Sequence, residues 1–359
     1  MPKTILFLVP YPLGQAASQR FRFEQYLAML RKKGYSVIIQ SFWPLYAWPV
    51  LYKQGYIFLK AFGFIEGMLR RAFAVTLLPF SHFVFIHREV LPIGPPIFEW
   101  LAAKVFRKKI IYDYDDAIWL PNTSIENKFV SKIKWHSKVK SICRWSYRVS
   151  CGNEYLAAFA RTHNKNVLVN PSTIDTDFHK PVELVNNDLT KPVTIGWTGS
   201  HSTIGYLDLF EDIFMALEKA NPDKVKFLVI SDKKPDLKIP SFQFLAWRQS
   251  SEIEDLQLMD IGIMPLPDDP WTRGKCGFKI LQYMALGIPA VASLVGANTS
   301  IIKKNQNGFL CETQQEWLDV LQRLVESSAL RKEIGRSGRE NVLEHYSLRS
   351  NLENFLSLF

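Results

Sequence analysis

The chain has 359 residues, enough for two domains of ordinary size, and its hydrophobic fraction of 47% and charged fraction of 22% are those of a globular protein. Its four cysteines show neither CxxC nor Cys/His ligand spacing, which argues against a disulfide framework and against structural zinc. No apolar run reaches the ~20 residues of a membrane span, and the first residues lack a secretory leader pattern, so we expect a cytoplasmic protein.

The net charge of +10 is unevenly distributed. Residues 1–150 hold 22 Lys/Arg and 8 Asp/Glu, whereas residues 151–359 hold 22 Lys/Arg and 26 Asp/Glu. Opposite charge in the two halves suggests two domains with different partners. A basic half suits nucleic acid, an anionic membrane or an acidic substrate, and a solvated basic surface is the alternative.

In chain order, short apolar runs without polar alternation recur, as is typical of strands buried on both faces. The predicted strands are Ile5–Val9, Val37–Gln40, Phe83–Ile86, Ile110–Tyr112, Val167–Val169, Val193–Trp197, Lys226–Ile230, Phe242–Leu245, Ile261–Met264 and Ala290–Ala292. Helical patterns lie between many of them, for example at Arg20–Lys33, Tyr206–Ala220 and Glu316–Ser327. This alternation predicts an α/β protein with parallel sheets and with helices on both faces.

The series of strands and helices occurs twice, and a segment that contains Pro and Asn, near residues 170–192, separates the two occurrences. We therefore predict two Rossmann-like, doubly wound domains facing a central cleft, over residues 1–175 and 176–345. A C-terminal helix at about 346–359 is expected to pack back on the first domain. In such sheets, ligands bind at the carboxyl ends of the strands.

Each half has a tight strand-to-helix turn after its first strand. In the first half the turn contains Gly14, and in the second half it contains Gly199, Ser200 and His201. The backbone N–H groups of such turns can hold an anion. Neither turn is a full dinucleotide-binding or P-loop motif, and an ordinary turn would show the same sequence pattern.

The stretch RGKCGFKILQYMALGIPAVAS, residues 273–293, begins with glycines and lysines and contains no carboxylate. Lys275, Lys279 and Gln282 are spaced by three or four, which places them on one face of a helix. Cations at a helix start oppose the helix dipole, so a bound anion would explain them, and Gly277 would allow close approach. The alternative is a solvated basic turn before a buried helix.

Several segments together are similar to a family-4 glycosyltransferase of the GT-B fold (glycosyl transferases group 1). The similar segments are DIGIMPLPDDPWTRGKCGFKILQYMALGIPAVAS, VLVNPSTIDTDFHKP, IGWTGSHST, NGFLCETQQEW and LRKEIGRSGRENVLEHYS, and more loosely YPLGQAASQRFRF and IIYDYDDAIW. The resemblance implies retaining transfer of a sugar from a nucleotide-diphosphate sugar, with a UDP-sugar favoured, by a hexosyltransferase that needs no metal and no cofactor.

The resemblance also implies a donor site. Lys275 and Lys279 would neutralise the leaving diphosphate, and Gln282 falls where many relatives have a glutamate that binds the ribose hydroxyls. The full set of expected donor-binding residues is Gly14, Arg20, Arg22, Gly199, Ser200, His201, Lys275, Gly277, Lys279 and Gln282. The chain departs from the family at Gly274 and Gln282, where many members carry two glutamates eight residues apart.

Charged residues also follow strands in the basic half. Arg20 and Arg22 could reach a phosphate, but two residues apart they cannot share one helical face, so we expect one of them to be functional. The candidate catalytic or acceptor-contacting residues are His87, Glu89, Asp115 and Asp116. The alternatives are strand-end packing for His87 and Glu89, and a divalent-metal DxD site of the GT-A type for the aspartates.

Basic residues alternate with aromatic ones in Tyr52–Leu78 and in Lys128–Arg148. This pattern suits an anionic lipid interface; nucleic acid and, for the first segment, core packing are the alternatives. We expect a peripheral enzyme at the cytoplasmic membrane face that modifies a glycan or lipid-linked acceptor in bacterial cell-surface polysaccharide or glycolipid synthesis, with no nucleic-acid partner. A nucleotide-sugar epimerase of the same fold, or a non-enzymatic binder of anionic glycolipid or nucleic acid, remains open.

Overall fold

A computed structural model describes residues 2–121, 134–181 and 191–359. The chain divides into two compact units: Met1–Ser172 with Gly274–Cys276 and Asn351–Phe359, and Thr173–Arg273 with Gly277–Ser350. The boundary between the two units lies after Ser172, a few residues before the expected domain boundary at 175/176. The assignment of Gly274–Cys276 to the first unit is a feature that the sequence did not indicate.

The first unit contains a parallel sheet with the strand order β2-β1-β3-β4-β5-β6. Its strands are β1 (Thr4–Val9), β2 (Ser36–Ser41), β3 (Phe83–His87), β4 (Lys109–Tyr114), β5 (Arg148–Cys151) and β6 (Val167–Val169). Strand β5 was not predicted, because its four residues RVSC contain a single large apolar side chain. Because the strands are parallel, their carboxyl ends all lie at one edge of the sheet.

The helices of the first unit are α1 (Ala17–Arg20), α2 (Leu27–Lys32), α3 (Ile57–Leu77), α4 (Ile97–Trp100), α5 (Lys138–Trp145) and α6 (Glu154–Arg161), with short turns at Glu24–Tyr26, Trp48–Val50, Leu78–Phe80 and Leu101–Val105. The predicted continuous helix Arg20–Lys33 is wrong. Phe21, Arg22 and Phe23 are all buried. Three consecutive side chains cannot share one helical face, so the helix is interrupted there.

Helix α3 packs on the loop after β2 through two glycines. A Cβ at Gly63 would lie 2.7 Å from the Ala47 side chain, and one at Gly67 would lie 2.7 Å from the Phe42 ring. On the opposite side of the helix, large apolar side chains are exposed: Ile57, Phe58, Phe62, Ile65, Leu69 and Phe73. Within the described ranges no helix has the length and hydrophobicity to cross a membrane.

The buried guanidinium of Arg71 on α3 joins the ends of β1 and β2 and the loop after β3. It donates to the carbonyl oxygens of Val9 at 2.6 Å, Gln40 at 2.8 Å and Val90 at 3.0 Å. Burial lowers the pKa of Arg71 to about 9. The three carbonyls therefore compensate for the desolvation of the cation, and they fix α3 against the carboxyl edge of the sheet.

The second unit contains a parallel sheet with the strand order β12-β11-β10-β7-β8-β9. Its strands are β7 (Val193–Gly199), β8 (Val225–Ser231), β9 (Phe242–Ala246), β10 (Ile261–Met264), β11 (Ala290–Ser293) and β12 (Phe309–Cys311). Its helices are α7 (Glu211–Ala220), α8 (Glu252–Leu256), α9 (Phe278–Ala285), α10 (Asn298–Ile301), α11 (Gln314–Glu326) and α12 (Ser328–Asn341), with short turns at Ile204–Leu207, Gln249–Ser251, Thr272–Gly274 and Val342–Tyr346. A core that includes Trp197, Phe214 and Trp317 holds the helices on the sheet.

The last helix, α13 (Leu352–Leu356), lies in the first unit. Phe355 stacks on Tyr26 with a centroid distance of 4.1 Å, and Phe359 contacts Phe83 at 5.6 Å. The two parallel sheets with interleaved helices give the predicted α/β architecture of two Rossmann-like domains.

Candidate functional site

A buried ion pair lies beneath the carboxyl edge of the first sheet. The Arg22 guanidinium contacts Asp113 through Nη2, and its Nε is 3.4 Å from the other carboxylate oxygen. Asp113 also accepts from Ser150 Oγ at 2.6 Å and lies 2.8 Å from His87 Nδ1. Burial opposes ionisation of Asp113, but Arg22 and His87 outweigh it and hold the pKa of this carboxyl well below its usual range.

This pair changes the interpretation of two predicted site residues. Arg22 is 1% exposed and His87 is 0% exposed, so both lie in the interior of the first unit. Arg22 also donates to the carbonyl of Asn170. Its position therefore fits a structural cation better than a solvent-facing phosphate ligand, because a buried charge must be paired. The Nε2 atom of His87 is buried and has no hydrogen-bond partner.

A second network of charged side chains is partly buried. Arg88 Nε donates to Asp115 at 2.8 Å, and Arg88 Nη2 donates to Asp116 at 2.6 Å. Lys275 Nζ donates to the other oxygen of Asp116 at 2.9 Å. Burial disfavours the charged form of Asp116, but Lys275 and Arg88 hold its pKa below the usual range.

The remaining candidate of this group, Glu89, is paired with Lys138 at 2.9 Å. Asp115 and Asp116 thus face cations, which does not favour the DxD metal interpretation. In the part of the chain that the structure describes, no three His, Cys, Asp or Glu side chains are grouped as metal ligands.

The segment 274–276 is held in the first unit by several contacts. The Cys276 thiol donates to the Asp115 carbonyl at 3.1 Å, and Asn153 Nδ2 donates to the Lys275 carbonyl at 3.0 Å. A Cβ at Gly274 would lie 2.8 Å from the Ala117 side chain and 2.9 Å from its backbone nitrogen. This close packing explains why no carboxylate-bearing side chain stands at position 274.

At the carboxyl edge of the second sheet, a hydroxyl-rich loop follows β7. His201 bonds to Asp232 through its backbone N–H and through Nδ1, both at 2.6 Å, and Ser200 Oγ is 2.8 Å from Ser202 Oγ. The Lys279 ammonium lies 4.4 Å from the centroid of the buried Trp197 ring and 3.5 Å from Thr203 Oγ1. Lys279 therefore lies beside the loop that follows β7.

The expectation that Lys275 and Lys279 share one helix face is wrong. Helix α9 begins at Phe278 after Gly277, whose φ of 65° is left-handed. Lys275 lies before the helix, in the first unit, whereas Lys279 lies in its first turn. The backbone turns at the left-handed Gly277, and the two lysines on either side of it therefore contact different partners.

Gln282 is buried on α9 and donates to Glu252 Oε1 at 3.3 Å. The same oxygen lies 3.4 Å from Trp247 Nε1, which can donate to it. A carboxylate is therefore present beside position 282, although the sequence position itself carries an amide. Sequence reasoning missed Glu252, and nothing in its spacing to Gln282 along the chain could have revealed it.

The turn after β1 is held by Glu24. Its carboxylate accepts from the Gly14 N–H at 2.8 Å and from Gln19 Nε2 at 3.0 Å. Partial burial raises the pKa of Glu24. Arg20 lies with its guanidinium 4.8 Å from the Phe21 ring centroid. Gly14 thus belongs to a fixed turn in the first unit.

Comparison with known proteins finds glycosyltransferases among the proteins similar to this chain. Residues 192–327 match the family model described as glycosyl transferases group 1. A poly(ribitol-phosphate) alpha-N-acetylglucosaminyltransferase of Staphylococcus aureus (strain COL) is 35% identical over 86 residues, which is 23% of this chain and 17% of that protein. The match thus spans about a sixth of that relative's length.

Solved structures resemble the whole chain. A glycosyltransferase from Rickettsia africae ESF-5 has a TM-score of 0.70 at 15% identity and covers 99% of this chain and 97% of its own. Anabaena Alr3699/HepE, solved in complex with UDP and glucose, has a TM-score of 0.64 at 14% identity and covers 99% of this chain and 98% of its own. The chain accordingly has the GT-B fold of glycosyltransferases, with a glycosyl transferases group 1 match over residues 192–327.

Proposed function

We propose that this protein is a retaining, metal-independent glycosyltransferase that moves a hexose from a nucleotide-diphosphate sugar, preferably a UDP-sugar, to a glycan or lipid-linked acceptor. The observation that carries the proposal is the position of Lys279. Its ammonium lies over the Trp197 ring, next to the hydroxyl-rich loop after β7 and in the first turn of α9. The group 1 match spans all three elements.

The chemistry follows from charge. When the bond between the sugar and the diphosphate breaks, negative charge grows on the leaving diphosphate. A cation and hydroxyl donors fixed beside that charge stabilise the transition state more than the ground state, and this accelerates the reaction. Lys279, Ser200 and Thr203 supply such groups here without a metal ion. The UDP complex of the structurally similar HepE supports a uridine nucleotide as the first donor to test.

Calorimetric titration with UDP, GDP, ADP and dTDP tests this site. We expect one nucleotide to bind to the wild type, with EDTA having no effect. Lys279→Ala should weaken that binding by about tenfold or more, the loss expected for one charge-assisted contact. The control is Lys332→Ala, which removes an exposed lysine on α12. Absence of binding by all four nucleotides would contradict the proposal, as would equal binding by Lys279→Ala and the wild type.

We also propose that the enzyme works as a peripheral protein at the cytoplasmic membrane face, as expected for a lipid-linked acceptor. The support is the outer face of α3, where Phe58 is 83% exposed and Phe62 is 65% exposed. The positions 58, 62, 65, 69 and 73 form one helical stripe about 22 Å long. Lys53, Lys60 and Arg70 flank it and suit anionic headgroups. In the second basic segment, Lys128 and Lys132 lie outside the described residues.

Flotation with vesicles tests the membrane proposal. The wild type should float with vesicles that contain anionic phospholipid, and Phe58→Ser/Phe62→Ser should remain at the bottom of the gradient. Phe178→Ser is the matched control, because Phe178 is an equally prominent exposed aromatic residue, 63% exposed, in the second unit. Equal flotation of the wild type and the double variant, or no flotation of the wild type, would refute this part of the proposal.

A further inference from the structure

The hydroxyl-rich loop after β7 is bound by a carboxylate from the end of the neighbouring strand. Asp232 follows β8, and the last residues of the two strands, Gly199 and Ser231, are paired in register. Asp232 Oδ1 accepts from the backbone N–H of His201 at 2.6 Å, and Oδ2 lies 2.6 Å from His201 Nδ1. One carboxylate therefore holds both the backbone and the side chain of a single loop residue.

Several other polar groups of this loop are bonded within the loop. Ser200 Oγ lies 2.8 Å from Ser202 Oγ, and Thr203 Oγ1 donates to the Ser200 carbonyl at 3.1 Å. These partners are neutral, whereas the partner of the His201 N–H is a carboxylate. Because a backbone N–H is a single donor, a phosphate oxygen that binds this N–H must replace Asp232.

Positive charge surrounds the carboxylate. The exposed Lys233 and Lys234 follow it directly, and the Lys279 ammonium lies 3.5 Å from Thr203 Oγ1 in the same loop. These cations attract an anion to this edge of the sheet, so the effect of Asp232 is local to the N–H that it occupies. The Asp232 side chain is 45% exposed, so water can solvate the carboxylate when it leaves the loop.

We propose that Asp232 is an internal competitor of the anionic ligand: its carboxylate holds the His201 N–H until a diphosphate replaces it. This inference rests on the proposed function, because the competing anion would be the diphosphate of the nucleotide sugar. The contact orders the loop but lowers its affinity for a diphosphate. The returning carboxylate would also assist release of the nucleotide diphosphate after transfer.

Calorimetric titration of the full chain with inorganic pyrophosphate tests the inference independently of the nucleotide base. Asp232→Asn removes the charge and keeps an oxygen that can accept from the loop. We expect this variant to bind pyrophosphate about tenfold more tightly than the wild type, the change expected for one charge-assisted hydrogen bond. Asp232→Ala, which removes the acceptor as well, should tighten binding at least as much. Asp236→Asn is the control, because it removes an exposed carboxylate from the same segment after β8.

Thermal unfolding reports whether each variant is folded. Unchanged or weaker pyrophosphate binding by Asp232→Asn would overturn the inference, since a residue that shapes the loop for its ligand loses affinity when it is altered. Equal tightening by Asp236→Asn would also overturn it, because the effect would then reflect overall charge, and so would the absence of pyrophosphate binding by the wild type and all variants.

The nucleotide titration on Lys279→Ala is a separate readout for the proposed function. If that variant loses nucleotide binding and Asp232→Asn does not tighten pyrophosphate binding, the internal competitor is wrong and the donor site stands. If Asp232→Asn tightens pyrophosphate binding and none of the four nucleotides binds, the nucleotide-sugar donor is refuted and the competition at the loop stands.

Discussion

The carboxyl edges of the two sheets differ in how their charged side chains are partnered. At the first edge, the charges are paired within the protein, and the deepest pair, Arg22 and Asp113, is fully enclosed. At the second edge, the hydroxyl-rich loop is exposed, and Lys279 lies over an aromatic ring. In an ion pair the two charges offset one another, whereas a contact with an aromatic face leaves the net charge of the cation in place. This difference is the reason why we propose anion binding at the second edge.

The largest expected effect at the first edge comes from Asp113→Asn. This change leaves the Arg22 guanidinium buried without a counter-ion, which we expect to lower the free energy of unfolding by about 3–5 kcal/mol. Urea denaturation at pH 7 measures it. The control is Asp268→Asn, whose partner Arg273 is exposed, and which should leave stability unchanged. A similar stability for the two variants would contradict the contrast between buried and exposed pairs.

The same pair predicts a pH dependence. The pKa of Asp113 is lower in the folded than in the unfolded state, so its stabilisation is present above the unfolded value of about 4 and is lost as the pH falls through the folded value. The stability difference between the wild type and Asp113→Asn should therefore shrink below about pH 4. Urea titrations from pH 7 to pH 2 test this, and a constant difference over that range would disprove it.

Gly274→Ala should have the next largest effect. The added methyl group would overlap Ala117, and the rigid backbone nitrogen there cannot move aside as a flexible side chain could. We expect a destabilisation of about 1–3 kcal/mol, typical of overpacking. Gly205→Ala is the control, because a Cβ there meets nothing within 4 Å. Equal melting temperatures for the two variants would show that the segment 274–276 is not packed as described.

Lys275→Ala and Lys279→Ala test the comparison most directly. Loss of Lys275 removes an ion pair with Asp116, so the pKa of Asp116 should rise toward its usual value and stability should fall by about 1 kcal/mol. Lys279→Ala should leave the Asp116 titration unchanged and weaken nucleotide binding instead. Carboxyl-detected NMR titration and calorimetry separate the two outcomes. Identical profiles for both variants would show that the two lysines act as one group.

The smallest effect is expected at the second edge from Asp232→Asn. The carboxylate contacts His201 in an exposed pair, so its loss should change stability by less than about 1 kcal/mol. Thermal unfolding measures this, with Asp113→Asn as the large-effect reference. A destabilisation as large as that of Asp113→Asn would mean that the second edge is as tightly paired as the first.

Much of the fold could be predicted because parallel strands that are buried on both faces appear in the sequence as short continuous apolar runs. All ten predicted strands are present, and the start of α9 near Gly277 was expected. β12 (FLC) was missed because it lacks the β-branched residues that the equally short β6 (VLV) contains. Side-chain partners were less predictable: Lys275 and Lys279 look equivalent by spacing, and only the left-handed Gly277 separates them. The Glu252–Gln282 contact joins residues 30 apart in sequence, a distance at which periodicity carries no information.

Helix α3 also has a practical consequence for protein engineering. Its inner side allows almost no substitution, because Gly63 and Gly67 have no room for a side chain and Arg71 binds two strand ends and the loop after β3. Its outer side contacts little, so polar replacements at the exposed stripe should cost little folding energy. Directed libraries can therefore randomise Phe58, Phe62 and their outward neighbours to improve solubility and crystallisation, while the inner positions are kept constant.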